Sequence, residues 1–303
     1  MKNIIALLLI TFLSLPAFYG CMTSVPSEQT TQELISESET VTTETETEAE
    51  TETEPQYVPS EGLAFDADTY TITGFGKCSK MDIVVPERCD GKQVKYISNT
   101  GFQKSHIRSI VIPSTLNGIG VNTFKDCKEL ESVIILPGAE YIENEAFSGC
   151  TSLKSIVIPD TVRKFGNRVF QNCTSLTDVR MPESVDSMFT DEVFSGCTSL
   201  EHIIIPDGAY EIGAGFFKGC ENLKSVVIPD SVKHINGEAF YGCKSLKEIE
   251  LAKDFWRIES EAFFGCSSLE RINYAGTKSE WSAVEKAERW NNGADKLTVY
   301  CAG

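Results

Sequence analysis

The chain has 303 residues, of which 41% are hydrophobic, and a formal net charge of −17. Much of the negative charge lies near the N-terminus, since residues 22–62 contain eleven Glu and no Lys or Arg. No concentrated basic face is available to contact phosphates, which excludes nucleic acid as a partner. After residue 20, no segment approaches the roughly 18 consecutive apolar residues that a membrane-spanning helix needs.

Residues 1–20 are predicted to be a signal peptide. Lys2 supplies a positive start, and residues 4–15 form an apolar run that is too short for a permanent membrane span. The segment ends at Gly20, and Cys21 follows directly. This arrangement resembles a bacterial lipobox, although Phe18 stands where Leu is usual. The resemblance implies cleavage before Cys21 and attachment of a lipid to it; the alternative is a plain secretory signal with an incidental cysteine.

Residues 21–61 are predicted to be a disordered acidic stalk. Thr and Glu alternate at 42–48 and 51–54, and large apolar residues are few. Such a composition cannot bury enough surface to offset the entropy cost of ordering, and like charges keep the chain extended. We interpret the segment as a stalk that holds a domain away from a membrane. The alternative is a disordered leader without that role.

A repeat of about 23 residues organises residues 62–275. Cys recurs seven times at intervals of 23 or 24 residues, with Phe three residues before it and Leu three residues after it. Each Leu is followed by a short apolar run that usually ends in Pro, as at 156–159 and 203–206. The seven cysteines are Cys127, Cys150, Cys173, Cys197, Cys220, Cys243 and Cys266. In-phase repetition over seven copies predicts a repeat protein.

The repeat predicts a solenoid. One coil of this length cannot bury its own apolar face, whereas stacked coils can, because the strand of each coil pairs with the next at about 4.8 Å. Within one coil we expect Leu153, Ile156 and Ile158 to point inward, with Pro159 ending the strand. A tight helical turn is expected at residues 146–147, and each Phe should fill the width of the core.

The motif Ala-Phe-x-Gly-Cys-x-Ser-Leu-x-x-Ile-x-Ile-Pro resembles the BspA-like leucine-rich repeat of bacterial surface proteins, over residues 63–275. The resemblance implies a leucine-rich-repeat solenoid that is β-rich with short helical turns. Parallel strands would line one face of a right-handed coil stack, and a helix would cap the C-terminal end. It also implies a protein on the extracellular face of a bacterial envelope that adheres to host proteins, matrix or other cells.

Both ends of the array are predicted to be capped, because an open end would expose apolar core and unpaired backbone. At the N-terminal end, residues 69–74 are expected to form an opening strand, and residues 83–86 the strand of an irregular coil.

The C-terminal cap is predicted over residues 276–303. Ser279 is expected to cap a helix that carries Trp281, Val284 and Trp290. Residues 298–301 are then expected to form a last edge strand.

The regularly spaced cysteines could indicate a metal or redox site, but their spacing does not support one. Metal sites need two or more Cys or His at close spacing, such as Cys-x-x-Cys, and none occurs. Equivalent side chains in stacked coils run parallel, which disfavours disulfides. We interpret the seven as small buried hydrophobes. Cys78, Cys89 and Cys301 lie outside the column, and a bridge between Cys78 and Cys89 is an alternative left open.

The other polar residues form no catalytic constellation. His106, His202 and His234 are dispersed and are expected singly on the surface, without an accompanying nucleophile or phosphate-binding loop. Carboxylates one place after the proline could hold Ca²⁺ but more often satisfy turn N–H groups; they are Asp160, Glu183, Asp207 and Asp230. We predict no cofactor, no metal site and no enzymatic activity.

The outward side of the strand column is the predicted partner-binding surface. Alternation places the residue between two inward positions on the solvent face, where it is mostly Val or Ile. A contiguous apolar surface on an exported protein marks a partner site, although β-branched residues also favour strands for their own sake. The candidates are Val111, Ile134, Val157, Arg180, Ile204 and Val227, with Arg180 as the expected anchor.

These observations favour non-catalytic binding at the cell surface. The partner would be a protein or other macromolecule on a host, a matrix or a neighbouring cell, and the membrane would be reached only through the lipid on Cys21. The alternative is a structural envelope protein that self-associates through the solenoid.

Overall fold

The computed structural model describes residues 57–186 and 190–302, which belong to one compact unit, Pro55–Gly303. The predicted signal peptide, Cys21 and most of the predicted stalk lie outside the described residues. Within the described residues the 23-residue repeat forms the coils of a parallel-strand solenoid, which confirms the predicted fold class. Each coil has three sides. Strands are numbered β1 to β22 in chain order, and the single described helix is α1.

The first side carries the longest strands, stacked in parallel and in register. They are β3 (Asp82–Val84), β7 (Ser109–Ile112), β9 (Ser132–Ile135), β11 (Ser155–Val157), β13 (Asp178–Arg180), β14 (His202–Ile204), β16 (Ser225–Val227), β18 (Glu248–Leu251), β20 (Arg271–Tyr274) and β22 (Thr298–Cys301). Their pairing forms three sheets, β3 to β13, β14 with β16, and β18 to β22. We call the solvent side of these strands the strand face.

The inward positions of these strands are apolar, as the alternation predicts. Ile156 and Ile158 are buried in one coil, and Ile203 and Ile205 in another. Where a proline follows, as at Pro159 and Pro206, it ends the strand because it lacks the N–H that the ladder requires.

The second side is made of two-residue strands. They are β6 (Tyr96–Ile97), β8 (Gly118–Ile119), β10 (Tyr141–Ile142), β12 (Lys164–Phe165), β15 (Glu211–Ile212), β17 (His234–Ile235), β19 (Arg257–Ile258) and β21 (Glu285–Lys286). The second residue is buried in every one of them except β21. Parallel pairing joins β8, β10 and β12 in one sheet and β15, β17, β19 and β21 in another.

The third side contains the Phe-x-x-Cys segments, which form single hydrogen-bonded turns. The N–H of Cys150 donates to the carbonyl of Phe147 at 3.2 Å, while the N–H of Phe147 donates to Val169 of the next coil at 2.9 Å. Gly149 has a φ of 75°, and a Cβ there would lie 2.4 Å from a carboxylate oxygen of Asp126. The recurring Gly therefore allows both the left-handed turn and the close approach of neighbouring coils.

The core is a column of stacked aromatic rings. Phe rings of successive coils lie with centroids 5.2–5.8 Å apart and nearly parallel, and each ring is fully buried. They are Phe102, Phe124, Phe147, Phe170, Phe194, Phe217, Phe240 and Phe263. Because the rings touch above and below, the column links the coils along the whole array.

The N-terminal end begins with an antiparallel pair, β1 (Ala64–Asp66) and β2 (Thr71–Gly74), and β2 then pairs with β6. A short hairpin of β4 (Arg88–Cys89) and β5 (Lys92–Gln93) follows β3. Ser60, near the end of the predicted stalk, donates its N–H to the Val84 carbonyl at 2.8 Å and accepts the Val84 N–H through Oγ at 3.0 Å. This contact covers part of the free edge of β3.

At the C-terminal end, the helix α1 spans Lys278–Ala283 and starts two residues earlier than expected. Thr277 is its N-cap, because the Glu280 N–H donates to Thr277 Oγ1 at 3.3 Å and the Thr277 N–H donates to the Glu280 carboxylate at 2.7 Å. The expectation that Ser279 caps the helix was wrong. The reciprocal pair is a capping box, which requires Glu three residues after the cap, and Thr277 has it.

The helix is also shorter than expected. Val284 adopts an extended conformation as C-cap, and Trp290 lies in a later turn rather than on the helix. The Trp290 ring still covers the last core ring, with its centroid 6.1 Å from that of Phe263. The strand β22 pairs in parallel with β20, as expected for the last strand.

Candidate binding surface

The predicted partner-binding residues all lie on the strand face, but their exposure differs along the array. Val111 is only 8% exposed, whereas Ile134 and Val157 are half-buried. Ile204 and Val227 are 65% and 57% exposed. The expectation that Val111 is accessible to a partner was therefore wrong, and the accessible apolar surface lies farther toward the C-terminus.

Strand pairing explains this gradient. Val111 has Val84 and Ile134 directly opposite it in the neighbouring strands, so large side chains cover it on both sides. The strands of Ile204 and Val227 pair only with each other, since no pairing joins β13 to β14 or β16 to β18 among the described residues. The two side chains are opposite each other in register and have no paired apolar neighbour beyond them. We call Ile204 and Val227 the apolar pair.

Arg180 is exposed, but its charge is already partnered. Its Nη2 lies 3.3 Å from Oδ2 of Asp160 in the preceding coil. The other oxygen, Oδ1, accepts the backbone N–H of Glu183 at 2.9 Å. Asp160 therefore satisfies a turn N–H, which is the role that the sequence favoured over Ca²⁺ binding for this position.

The neighbouring outward position carries short hydrogen-bonding side chains. His202 Nδ1 lies 2.7 Å from Ser225 Oγ, directly beside the apolar pair. At the N-terminal end, Ser109 donates to Asp82 at 2.8 Å, and Arg108 forms an ion pair with the same carboxylate. These contacts run between neighbouring coils.

The seven repeated cysteines are buried and face the third side. Each thiol lies within hydrogen-bonding distance of a Phe carbonyl in the preceding coil, as Cys173 Sγ does with Phe147 O at 3.2 Å. Burial raises the pKa of all seven thiols above the ordinary value, and that of Cys266 to about 12. Protonated buried thiols are poor nucleophiles and poor metal ligands. Their prediction as buried small residues is confirmed, with an added hydrogen bond that the sequence did not reveal.

In the part of the chain that the structure describes, the cysteines outside the column are half-buried free thiols, namely Cys78, Cys89 and Cys301. The alternative of a Cys78–Cys89 bridge is therefore not observed. Among the described residues no group of three or more His, Cys, Asp or Glu side chains is placed to hold a metal ion.

His234 on the second side differs from the expectation of an isolated surface histidine. Its side chain is 14% exposed, and its Nε2 lies 2.7 Å from Glu211. The ring lies between Tyr210 and Trp256, at centroid distances of 5.7 and 5.6 Å. The sequence contains a signal for this arrangement. Tyr210 and Trp256 are 46 residues apart, which is two repeat lengths, so they occupy equivalent positions with the coil of His234 between them.

The fold and the surface place the chain in the class of repeat solenoids with an open strand face and polar groups repeated along the coils. The family described as BspA type leucine rich repeat region matches residues 95–207 and 187–283, in six copies. The chain belongs to this family. Solenoids of this family are generally non-catalytic, and the assignment indicates a role in protein interaction or adhesion.

The chain is also similar to several solved structures. A leucine rich repeat protein of T. pallidum is 26% identical, with a TM-score of 0.50, over 71% of this chain and 91% of that one. A leucine rich cell surface protein from Faecalibacterium prausnitzii A2-165 is 23% identical, with a TM-score of 0.40, over 67% of this chain and 62% of that one. The pneumococcal vaccine antigen PcpA is 18% identical, with a TM-score of 0.47, over 80% of this chain and 67% of that one.

No curated protein matches the sequence. None of the helices in residues 57–186 and 190–302 is long and apolar enough to cross a membrane.

Proposed function

We propose that the protein is a non-catalytic binding protein of the bacterial cell surface that contacts a macromolecular partner through the strand face. The observation that carries the proposal is the apolar pair, because Ile204 and Val227 are large, adjacent and mostly exposed. Contiguous exposed apolar side chains on a protein surface are typical of partner sites. Val157 and Arg180 extend this surface toward the N-terminal end, whereas Ile134 contributes less and Val111 is buried.

The proposed tether is independent of the binding surface. Cys21 would carry a lipid, and residues 21–61 would hold the solenoid away from the membrane. Replacing Cys21 with Ala is expected to release the protein into the medium, measured by fractionating cells and blotting medium and membranes. Retention of the variant in the membrane fraction would mean that lipidation of Cys21 is not the anchor.

The binding surface is tested by the double substitution Val157→Glu and Ile204→Glu in the full chain. Two carboxylates on the strand face should abolish attachment to host cells, matrix-coated surfaces or bacterial cells, because they would be desolvated at the interface. A matched control places the same substitutions at Asn222 and Ser267, which are exposed in other turns. If the strand-face variant unfolds at the same temperature as the native chain and its attachment is unchanged, the strand face is not the partner site.

A second candidate function is a structural envelope protein that self-associates. The observation in its favour is the edge of β22, which pairs with β20 on one side only among the described residues. An unpaired edge is a template for another strand. Under this alternative, sedimentation would show oligomers of the full chain, and Val299→Pro in β22 would dissociate them, while attachment to other cells would be absent.

A further inference from the structure

We propose that the apolar pair takes an extended, positively charged peptide segment of the partner, in which an apolar side chain is flanked by Lys or Arg. The inference rests on the proposed function, because it assumes that the strand face is the binding surface. It goes further by naming the chemistry of the partner.

The first observation is the shape of the surface. Ile204 and Val227 stand side by side on two paired strands, with the smaller Ser225 next to Val227 and directly opposite His202. Because β13 packs against β14 and β16 against β18 without strand pairing, the pair lies between two interruptions of the sheet. An apolar side chain of a partner can contact both residues at once from solvent.

The second observation is the charge around the pair. Six carboxylates of the four surrounding coils are exposed, and none of them has an ion-pair partner among the described residues. Three belong to the outward positions of β13 and β18, and three follow the prolines that end the strands. These six, which we call the carboxylate ring, are Asp178, Glu183, Asp207, Asp230, Glu248 and Glu250.

Several other acidic residues of the same coils are ion-paired. Glu201 and Glu221 are each ion-paired to a lysine of the next coil, at 2.6 and 2.8 Å. The nearest cation on the strand face, Arg180, is paired with Asp160. Lys247 and Arg271 belong to the same region, but they leave an excess of negative charge. A surface of one sign raises the association rate and the selectivity for a partner of the opposite sign.

The two observations together exclude simpler occupants. A purely apolar segment would bury the ring without neutralising it, which costs free energy. A purely basic segment would leave the apolar pair unused. A segment with both kinds of side chain uses both, and the open strand face accommodates it in an extended conformation. Side chains two residues apart point to the same side of an extended chain, so the Lys or Arg residues stand two places before and after the apolar residue.

Short synthetic peptides test the proposal on the full chain by fluorescence anisotropy. A lysine–valine peptide, in which lysine and valine alternate at every second position and serine fills the positions between them, is expected to bind, and its affinity should fall as salt is raised, because exposed charges are screened. The same peptide with glutamate in place of lysine, or with serine in place of valine (the lysine–serine peptide), is expected to bind at least roughly ten-fold more weakly. Equal affinity of the lysine–serine peptide would overturn the role of the apolar pair.

Charge neutralisation locates the site. The triple substitution Asp207→Asn, Glu248→Gln and Glu250→Gln should weaken the lysine–valine peptide roughly ten-fold, since exposed ion pairs are worth about two- to five-fold each. The control neutralises Glu129, Glu201 and Glu221 to Gln, which removes the same charge outside the ring. An equal loss in both variants would show a non-specific effect of net charge and overturn the proposal.

The outcomes separate this inference from the proposed function. If Val157→Glu with Ile204→Glu abolishes attachment to cells but the ring substitutions leave it unchanged, the strand face binds and its partner is not basic. If neither changes attachment, both proposals fall. If the chain instead self-associates and the lysine–valine peptide does not compete, the occupant is a second copy and the inference is overturned.

Discussion

At the scale of single residues, the repeat works because the same few contacts recur in every coil. Each Phe ring stacks on the ring of the next coil, and each thiol reaches a carbonyl of the preceding coil. These positions are chemically equivalent, so one repeated sequence pattern is enough to define a continuous core. Substitutions at them should affect stability rather than binding.

Replacing Phe170 with Ala is expected to lower the free energy of unfolding by about 3–5 kcal/mol. The ring is fully buried, and its centroid lies 5.6 and 5.4 Å from those of Phe147 and Phe194, so its removal leaves a cavity between two coils. Denaturant unfolding measures the change, with Tyr300→Ala on the exposed last strand as a control. A loss below about 1 kcal/mol would mean that the ring is not part of the core.

Because of the buried thiols, the stability of the fold is expected to fall at alkaline pH. Burial raises their pKa in the folded state, whereas in the unfolded chain they titrate near the ordinary value of 9.0. Below that pH the thiols are protonated in both states, so their ionisation does not favour unfolding. Between about 9 and about 12, the value for Cys266, ionisation favours the unfolded state and stability falls as the pH rises.

The double substitution Cys173→Ala and Cys197→Ala tests this dependence. Unfolding free energies measured across that pH window should decline less steeply in the variant than in the unchanged chain, because two of the responsible groups are missing. Tyr and Lys residues titrate in both proteins and cancel in the comparison. The same slope in the two proteins would show that the thiols are already ionised or exposed in the folded state.

At the scale of elements, the ends of the array are less predictable than its middle. The strands and the buried columns follow from the repeat, since alternation fixes which side chains point inward. The start of the C-terminal helix did not follow from the repeat. Thr277 and Ser279 can both act as an N-cap, and only the reciprocal hydrogen bonds between Thr277 and Glu280 decide between them. The exposure of Val111 and the surroundings of His234 depend on which side chains lie in neighbouring coils, so they require the register of the stack.

The C-terminal helix gives a sharp test at this scale. Thr277→Ala is expected to destabilise the cap by about 1 kcal/mol, because it removes the side-chain acceptor for the Glu280 N–H. Ser279→Ala, inside the helix, should change stability by less than about 0.5 kcal/mol. Thermal unfolding of the two single variants makes the comparison. A larger effect at Ser279 than at Thr277 would place the helix start where the sequence alone suggested.

At the scale of the whole molecule, the array combines a uniform core with a non-uniform surface. The apolar column runs along the strand face, yet strand pairing covers its N-terminal part and leaves Ile204 and Val227 exposed. Charge follows the same division, because acids outside the carboxylate ring are often ion-paired and those within it are not. The repeat that defines the family accounts for the core. The proposed binding site depends instead on the exposed apolar pair and the carboxylate ring, which do not recur in every coil.

The binding surface is tested most directly by hydrogen–deuterium exchange of the full chain, alone and saturated with the macromolecule that it retains from matrix or cell-surface extracts. We expect slower exchange on binding at residues 178–183, 202–207, 225–230 and 248–250, with little change at residues 210–213 and 233–236 of the second side. Protection confined to the second side, or to β22 alone, would contradict a partner site on the strand face.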